Sequence, residues 1–135
     1  MSPLSRPLTG ENLTFSMAQH ITQLRQDDSY MRSGRAGRTL VKAGMLRLTL
    51  TVLADGVEVG THHAEAPMTV HVLEGGLRYR VDDEDFELGR DQVLFFGPGH
   101  AQDIRALGDT SLLLTITRAE EDENGAAEDG PLTRG

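Results

Sequence analysis

The sequence predicts a mainly β protein, a set of short strands closed into one barrel or sandwich, with a single short helix ahead of them. Three observations carry this. Between Met45 and Thr117 apolar and polar residues alternate in short runs. Gly, Pro and Asp clusters interrupt those runs at close intervals, which is the pattern of a sandwich or barrel rather than of alternating strands and helices. The stretch of helical period lies before all of them, at Leu13, Met17, Ile21 and Leu24.

That helical stripe recurs at spacings of four, four and three residues, one face of an α-helix. Ser16 with Gln19 three residues on reads as a capping box, and the helix is expected to stop near Asp28. Its apolar face is expected to pack on the barrel or on a partner subunit. Gly34, Gly37 and the arginines at 32, 35 and 38 then read as a polar, solvated connection.

In the first strand run, Met45–Leu53, Leu46, Leu48, Leu50 and Val52 share one face while Arg47, Thr49 and Thr51 share the other. Asp55–Gly56 signals a turn. Short strands are expected at Val57–His62, Met68–Leu73 (ended by Gly75–Gly76), Leu77–Val81 and Phe86–Leu88. The last two pair across the acidic Asp82–Asp85 turn. Gln92–Phe96, His100–Ala106 and Thr110–Thr117 complete the set. The boundaries follow: a flexible N-terminus over 1–12, the helix and connection over 13–39, the barrel over 40–118, and an acidic tail over 119–135. The tail holds Glu120, Glu121, Asp122, Glu123, Glu128 and Asp129 with almost no large apolar residue, so it has too little to bury against its ordering entropy and is expected to be disordered.

Composition narrows the function. The formal charge of -8 argues against nucleic acid, which needs clustered Lys and Arg. With no Cys in the chain, disulfides, thiol catalysis and Cys-ligated zinc are excluded. No apolar run approaches the ~18 residues of a membrane span, and the first residues lack the apolar core of a secretory signal, so the expected location is the cytoplasm. Ser33 and Ser111 have no nucleophile-elbow context. Asp82, Asp83, Glu84 and Asp85 lack EF-hand spacing and read as a solvated turn.

Two stretches match a known pattern. Gly56, five residues, His62, one residue, Ala64, three residues, Met68, six residues and Gly75 fit the spacing G-x5-H-x-H-x3-4-E-x6-G. Asp91, five residues, Gly97-Pro98-Gly99, two residues and Gln102 fit G-x5-P-x-G-x2-H. Over about residues 40–117 the chain thus resembles the cupin superfamily, which implies a jelly-roll β-barrel. Such barrels serve enzymes, storage proteins and ligand sensors alike, so the fold does not set the activity.

In metal-holding cupins two His, a Glu and a final His converge on one ion inside the barrel. The corresponding positions here are His62, Ala64, Met68 and Gln102. Ala binds no metal, a thioether suits copper(I) rather than harder cations, and a Gln carbonyl is a weak neutral ligand. The usual three-His-one-Glu site cannot form. A substitute rim site would use His62, His100 and Gln102, while His63 and His71 fall on the opposite strand phase.

If His62 points inward, so do Ala64, Met68, Val70, Val72 and Gln102. That lining, mostly apolar with two polar groups, is the composition of a small-molecule pocket and equally of a filled barrel core, and Arg47 is a candidate to meet a ligand carboxylate if its face lines the cavity. The leading expectation is a non-enzymatic barrel that binds a small, mainly apolar molecule without a metal or other cofactor. The alternative is a metal-dependent oxygenase or isomerase whose altered site holds one divalent transition metal on His62 and His100. The resemblance also implies a homodimer, with the helix stripe, His71 and Tyr79 as interface candidates.

Overall fold

The computed structural model describes residues 12–60, 67–81, 83–97 and 102–117. Two helices, α1 (Met17–Arg25) and α2 (Asp28–Ser33), precede seven strands: β1 (Arg35–Ala43), β2 (Leu46–Leu53), β3 (Glu58–Gly60), β4 (Met68–Val81), β5 (Glu84–Gly89), β6 (Val93–Phe96) and β7 (Gln102–Thr117). Every pairing is antiparallel. The main order is β1-β2-β7-β4-β5, with β3 also on β7 and β6 also on β4. The expected mainly β architecture with a short N-terminal helix is the one observed.

Local chemistry starts and stops the helices. Ser16 caps α1, its Oγ accepting from the Gln19 N–H at 3.3 Å. Asp27 caps α2 in the same way through the Ser29 N–H. The helical segment is therefore two short helices rather than one that runs to Asp28. Gly34 ends α2 at φ 81, and a Cβ there would stand 2.7 Å from Val57 Cγ2. Strand β1 begins at the next residue, so the segment expected to be a solvated connection is an edge strand, and the sheet begins at Arg35 rather than at residue 40. Gly37 and the charges at Arg35 and Arg38 hide an alternation in which Ala36 and Leu40 are buried.

Two clusters divide the core. Ile21 and Leu24 of α1 pack with Ala36, Leu40, Leu50 and Val52 on the outer face of β1 and β2. The barrel interior is built from β4 and β7, with Met68, Val70, Val72, Leu112, Leu114 and Ile116 at one end and Leu77, Tyr79, Ile104 and Ala106 at the other. Ordinary alternation of an antiparallel sheet separates the two sets.

Long strands β4 and β7 each merge two of the expected short ones. The glycines that read as strand ends sit inside bulges, with register shifts between Val72, Glu74 and Gly76. A bulge bends a strand without ending it. It also flips the side-chain phase, which explains why Tyr79, an expected outward residue, is 1% exposed in the inner core; burial pushes its phenol pKa well above the ordinary value. His71, before the bulges, keeps its outward phase and is partly exposed.

The bend is a close contact. Gly75 has φ 77, and a Cβ on it would lie 2.3 Å from the Asp109 carbonyl oxygen and 2.6 Å from Thr110 Oγ1. Thr110 Oγ1 donates to the Gly76 carbonyl at 2.7 Å and accepts from the Gly76 N–H at 3.3 Å. Opposite, Asp55 Oδ1 accepts from the Gly108 N–H at 2.8 Å, while Asp109 Oδ1 accepts from the Asp55 N–H at 3.1 Å. Replacing Gly75 by Ala is expected to cost about 3 kcal/mol or more, the left-handed penalty plus a backbone clash. Gly108→Ala, at φ 79 but with nothing within 4 Å, is expected to cost only the ~1 kcal/mol conformational term. Urea unfolding of both variants measures the difference.

A buried histidine ties the helices to β1. His20 is 1% exposed, its Nδ1 accepts from Arg38 Nη1 at 3.2 Å, and Phe15 packs edge-on against its ring. Desolvation first, and the Arg38 charge second, hold its pKa below 6.5. The folded ring therefore stays neutral where the unfolded chain binds a proton, so this contribution is intact above about pH 6.5 and is lost as pH falls below it. Thermal midpoints between about pH 7.5 and 5 should fall more steeply for the wild type than for His20→Gln.

Candidate functional site

Among the described residues, the inner face of the barrel carries a polar stripe on one strand. On β2, Arg47, Thr49 and Thr51 alternate with Leu48, Leu50 and Val52, which face the helices, and all three polar residues are buried. Cross-strand register fixes their neighbours. Arg47 lies beside Ile116, which lies beside Met68. Thr49 neighbours Leu114 and then Val70, and Thr51 neighbours Leu112 and then Val72. Cross-strand partners share a face of the sheet, so the three polar side chains point into the same interior as the apolar lining. Arg47 is only 4% exposed. Thr51 Oγ1 meets no hydrogen-bond partner among the described residues, and a buried hydroxyl left unpaired costs on the order of 1–3 kcal/mol.

Three of the six expected pocket residues are thus placed, side chain included, on one inner surface: Arg47, Met68 and Val70. His62, Ala64 and His100 lie outside the described residues, as does the side chain of Gln102. The backbone of Gln102 pairs with Val81 at the start of β7. The residues not singled out from the pocket pattern are Thr49 and Thr51, although their phase with Arg47 was already plain.

The position that carries a carboxylate in metal-holding barrels holds Met68, 2% exposed and packed in the apolar cluster with Val70 and Ile116. A thioether in apolar packing does not fit a hard divalent cation. Among the described residues no three His, Asp or Glu side chains gather as a metal-binding group.

The framework positions of the pattern behave differently from its ligand positions. Gly56 and Gly75 have φ 82 and 77, the left-handed region that glycine occupies without strain. Asp91 stands where the second pattern begins with Gly, and it keeps the same backbone at φ 68. Its N–H donates to the Val72 carbonyl at 2.7 Å, and the Val72 N–H donates to the Gln92 carbonyl at 3.0 Å, so the loop is clamped to β4 despite the side chain. Asp tolerates this conformation better than most residues, but less well than Gly.

A cavity of about 350 Å³ lies elsewhere, on the outer face of β3, β7, β4 and β5. Its arginines are committed: Arg80 donates to Asp85 at 2.8 Å and Arg105 to Glu58 at 2.6 Å. The Arg80 hydrogen bond holds the Asp85 carboxyl below its usual range. These pairs are exposed, and such pairs contribute little. Six of the eight residues lining the groove are charged, with only Val59 and Ile104 apolar, and the inner face is the better candidate for a mainly apolar ligand.

No protein-family model and no curated protein matches the sequence. Solved structures do match. An RmlC-like cupin protein from Desulfovibrio desulfuricans superposes with a TM-score of 0.60 at 21% identity, over 82% of this chain and 96% of that one. A cupin-2 domain containing protein from Shewanella frigidimarina gives 0.62 at 15% identity, over 77% and 94%. A cupin superfamily protein from Desulfitobacterium hafniense gives 0.60 at 19%, over 63% and 78%. The chain therefore has the cupin fold, a small antiparallel β-barrel. No helix among the described residues is long and apolar enough to cross a membrane.

Asp91→Gly is expected to raise stability by about 0.5–1 kcal/mol by removing the left-handed strain of a residue with a Cβ. Chemical denaturation of the single variant measures this, and a loss of stability would show that the Asp91 side chain holds the loop.

Proposed function

We propose that this protein is a non-enzymatic cupin barrel that binds a small, mainly apolar molecule in its interior, without the metal that such barrels often hold. The observation that carries the reading is the buried stripe Arg47, Thr49 and Thr51 facing an otherwise apolar inner lining. A few fixed polar groups on an apolar wall are what orient a small ligand. A buried hydroxyl such as Thr51 Oγ1, which meets no partner among the described residues, is costly to bury for packing alone. Met68 at the carboxylate position supports the metal-free part. The ligand region is assigned to His62, Ala64, Met68, Val70, Gln102 and Arg47, and the assembly proposed is a homodimer in the cytoplasm.

Elemental mass spectrometry of the purified chain, grown in metal-supplemented medium, tests the reading beside His62→Ala. Both proteins are expected to be free of transition metal. About one equivalent in the wild type, lost in the variant, would overturn the reading in favour of a metalloenzyme with His62 as a ligand. In a thermal-shift screen, small apolar compounds bearing one polar group should raise the midpoint of the wild type. Arg47→Met should lose that shift while remaining folded, because the substitution keeps an unbranched apolar stem and removes the charge.

A further inference from the structure

The outer groove of β3, β7, β4 and β5, at about 350 Å³, falls within the size range of small-molecule sites. It gathers three of the chain's 13 Lys and Arg residues, Arg78, Arg80 and Arg105, with Glu58, Asp85 and Asp103. Its charges therefore balance, on a chain whose net charge is -8. Strand register sets their arrangement. One outward row reads Glu58, Arg105, Arg78 and Glu87 across four strands, acids at the ends and two arginines side by side in the middle. The next row reads Asp103, Arg80 and Asp85, a lone arginine between two acids.

The adjacent arginines are the unusual element. Like charges directly opposite on neighbouring strands are destabilising, and the flanking acids compensate the two unequally. Arg105 donates to Glu58 at 2.6 Å, whereas Arg78 reaches Glu87 only at 3.7 Å. The Arg78 guanidinium makes no hydrogen bond among the described residues. Both side chains are about half exposed, so burial does not account for the pairing. Two guanidinium forks side by side in a concave surface make a seat for one oxyanion. Each fork can give parallel N–H bonds, and the anion cancels the repulsion between them. The Arg105–Glu58 pair is exposed and weak enough for an anion to compete with it. Asp103 supplies a second contact. It stands two residues before Arg105 on the same face of β7, roughly 7 Å along the strand. It is exposed, and its carboxylate accepts no hydrogen bond among the described residues.

We propose that this groove binds a small polar molecule by two points: an oxyanion, phosphate or carboxylate, between Arg78 and Arg105, and an ammonium or hydroxyl donor on Asp103. The groove lies on the opposite side of the sheet from the proposed interior ligand face, so the two sites fail separately.

Backbone-amide NMR titration of the isotope-labelled full chain tests the proposal, at a constant ionic strength of about 0.15 M to screen non-specific attraction. Inorganic phosphate and acetate probe the oxyanion alone. Phosphoethanolamine and γ-aminobutyrate add an ammonium group to each. Saturable shifts are expected at the amides of Glu58, Arg78, Asp103 and Arg105, with a Kd of about 1 mM for the better of phosphate and acetate. Which of those two binds more tightly identifies the oxyanion. The matching probe with an ammonium should bind at least about threefold tighter, the gain from one exposed ion pair. Arg78→Gln and Arg105→Gln should each weaken every probe at least about tenfold. The thermal midpoint of Arg78→Gln should match or exceed that of the wild type, since a like-charge contact is removed. Asp103→Asn should abolish only the gain from the ammonium, and Arg32→Gln, on α2, should change nothing. Shifts that do not saturate, or wild-type affinity in both Arg78→Gln and Arg105→Gln, would overturn the proposal. An ammonium gain that survives Asp103→Asn would overturn its second contact.

Discussion

The structure depends on the contact between Gly75 and the Asp109–Thr110 backbone. At that point two long strands turn together, and the turn converts a sheet into a barrel. Thr110 bonds both backbone groups of Gly76 through one hydroxyl, and the Asp55–Gly108 and Asp109–Asp55 bonds brace the bend from outside. Buried backbone that leaves the regular ladder must find such partners. The two halves of β4 can then line the same interior although the ladder between them is broken. Four strands attach directly to that bent pair, β2 and β3 on β7, β5 and β6 on β4, and β1 adds to β2.

Barrel and site make different demands on the residues. Framework positions need a conformation, and a Gly or, at Asp91, another residue that tolerates the left-handed region meets that need. Ligand positions need a donor atom, and Met68 supplies only a soft thioether. A chain can therefore keep the barrel while its interior chemistry drifts. The buried polar stripe on β2 lies outside both motif stretches, so its chemistry is independent of the motif's ligand positions.

Much of this was legible beforehand. Period-two alternation on β2 correctly separated Leu50 and Val52 from Arg47, Thr49 and Thr51, and Ser16 with Gln19 marked the helix start. Glycine was the source of the main errors. Gly75 and Gly76 read as a strand end but belong to a bulge, and the phase beyond them inverts, which brings Tyr79 inside. Gly37, with arginines around it, made β1 look like a loop, because only Ala36 and Leu40 betray the buried side. Of the site, the face of Arg47 was legible; its burial was not, since alternation gives two faces without saying which is covered. His20 was missed because a lone histidine next to a helical stripe carries no signal until Arg38 is brought beside it.

The connectivity constrains how the protein is made. Strand β7 holds β2, β3 and β4 together and follows all of them in the chain. During synthesis the inner faces of β2 and β4 are therefore built well before the strand that covers them emerges. At a translation rate of about 5–20 residues per second, the newborn chain spends seconds with Val70, Val72 and Leu53 open to collapse or to other chains. Barrel closure has to follow emergence of β7 from the ribosome, and a product truncated before residue 102 has no central strand at all. The same long-range pairing makes this a slow-folding topology, because β7 has to find β2, β3 and β4 across the whole length of the barrel sequence.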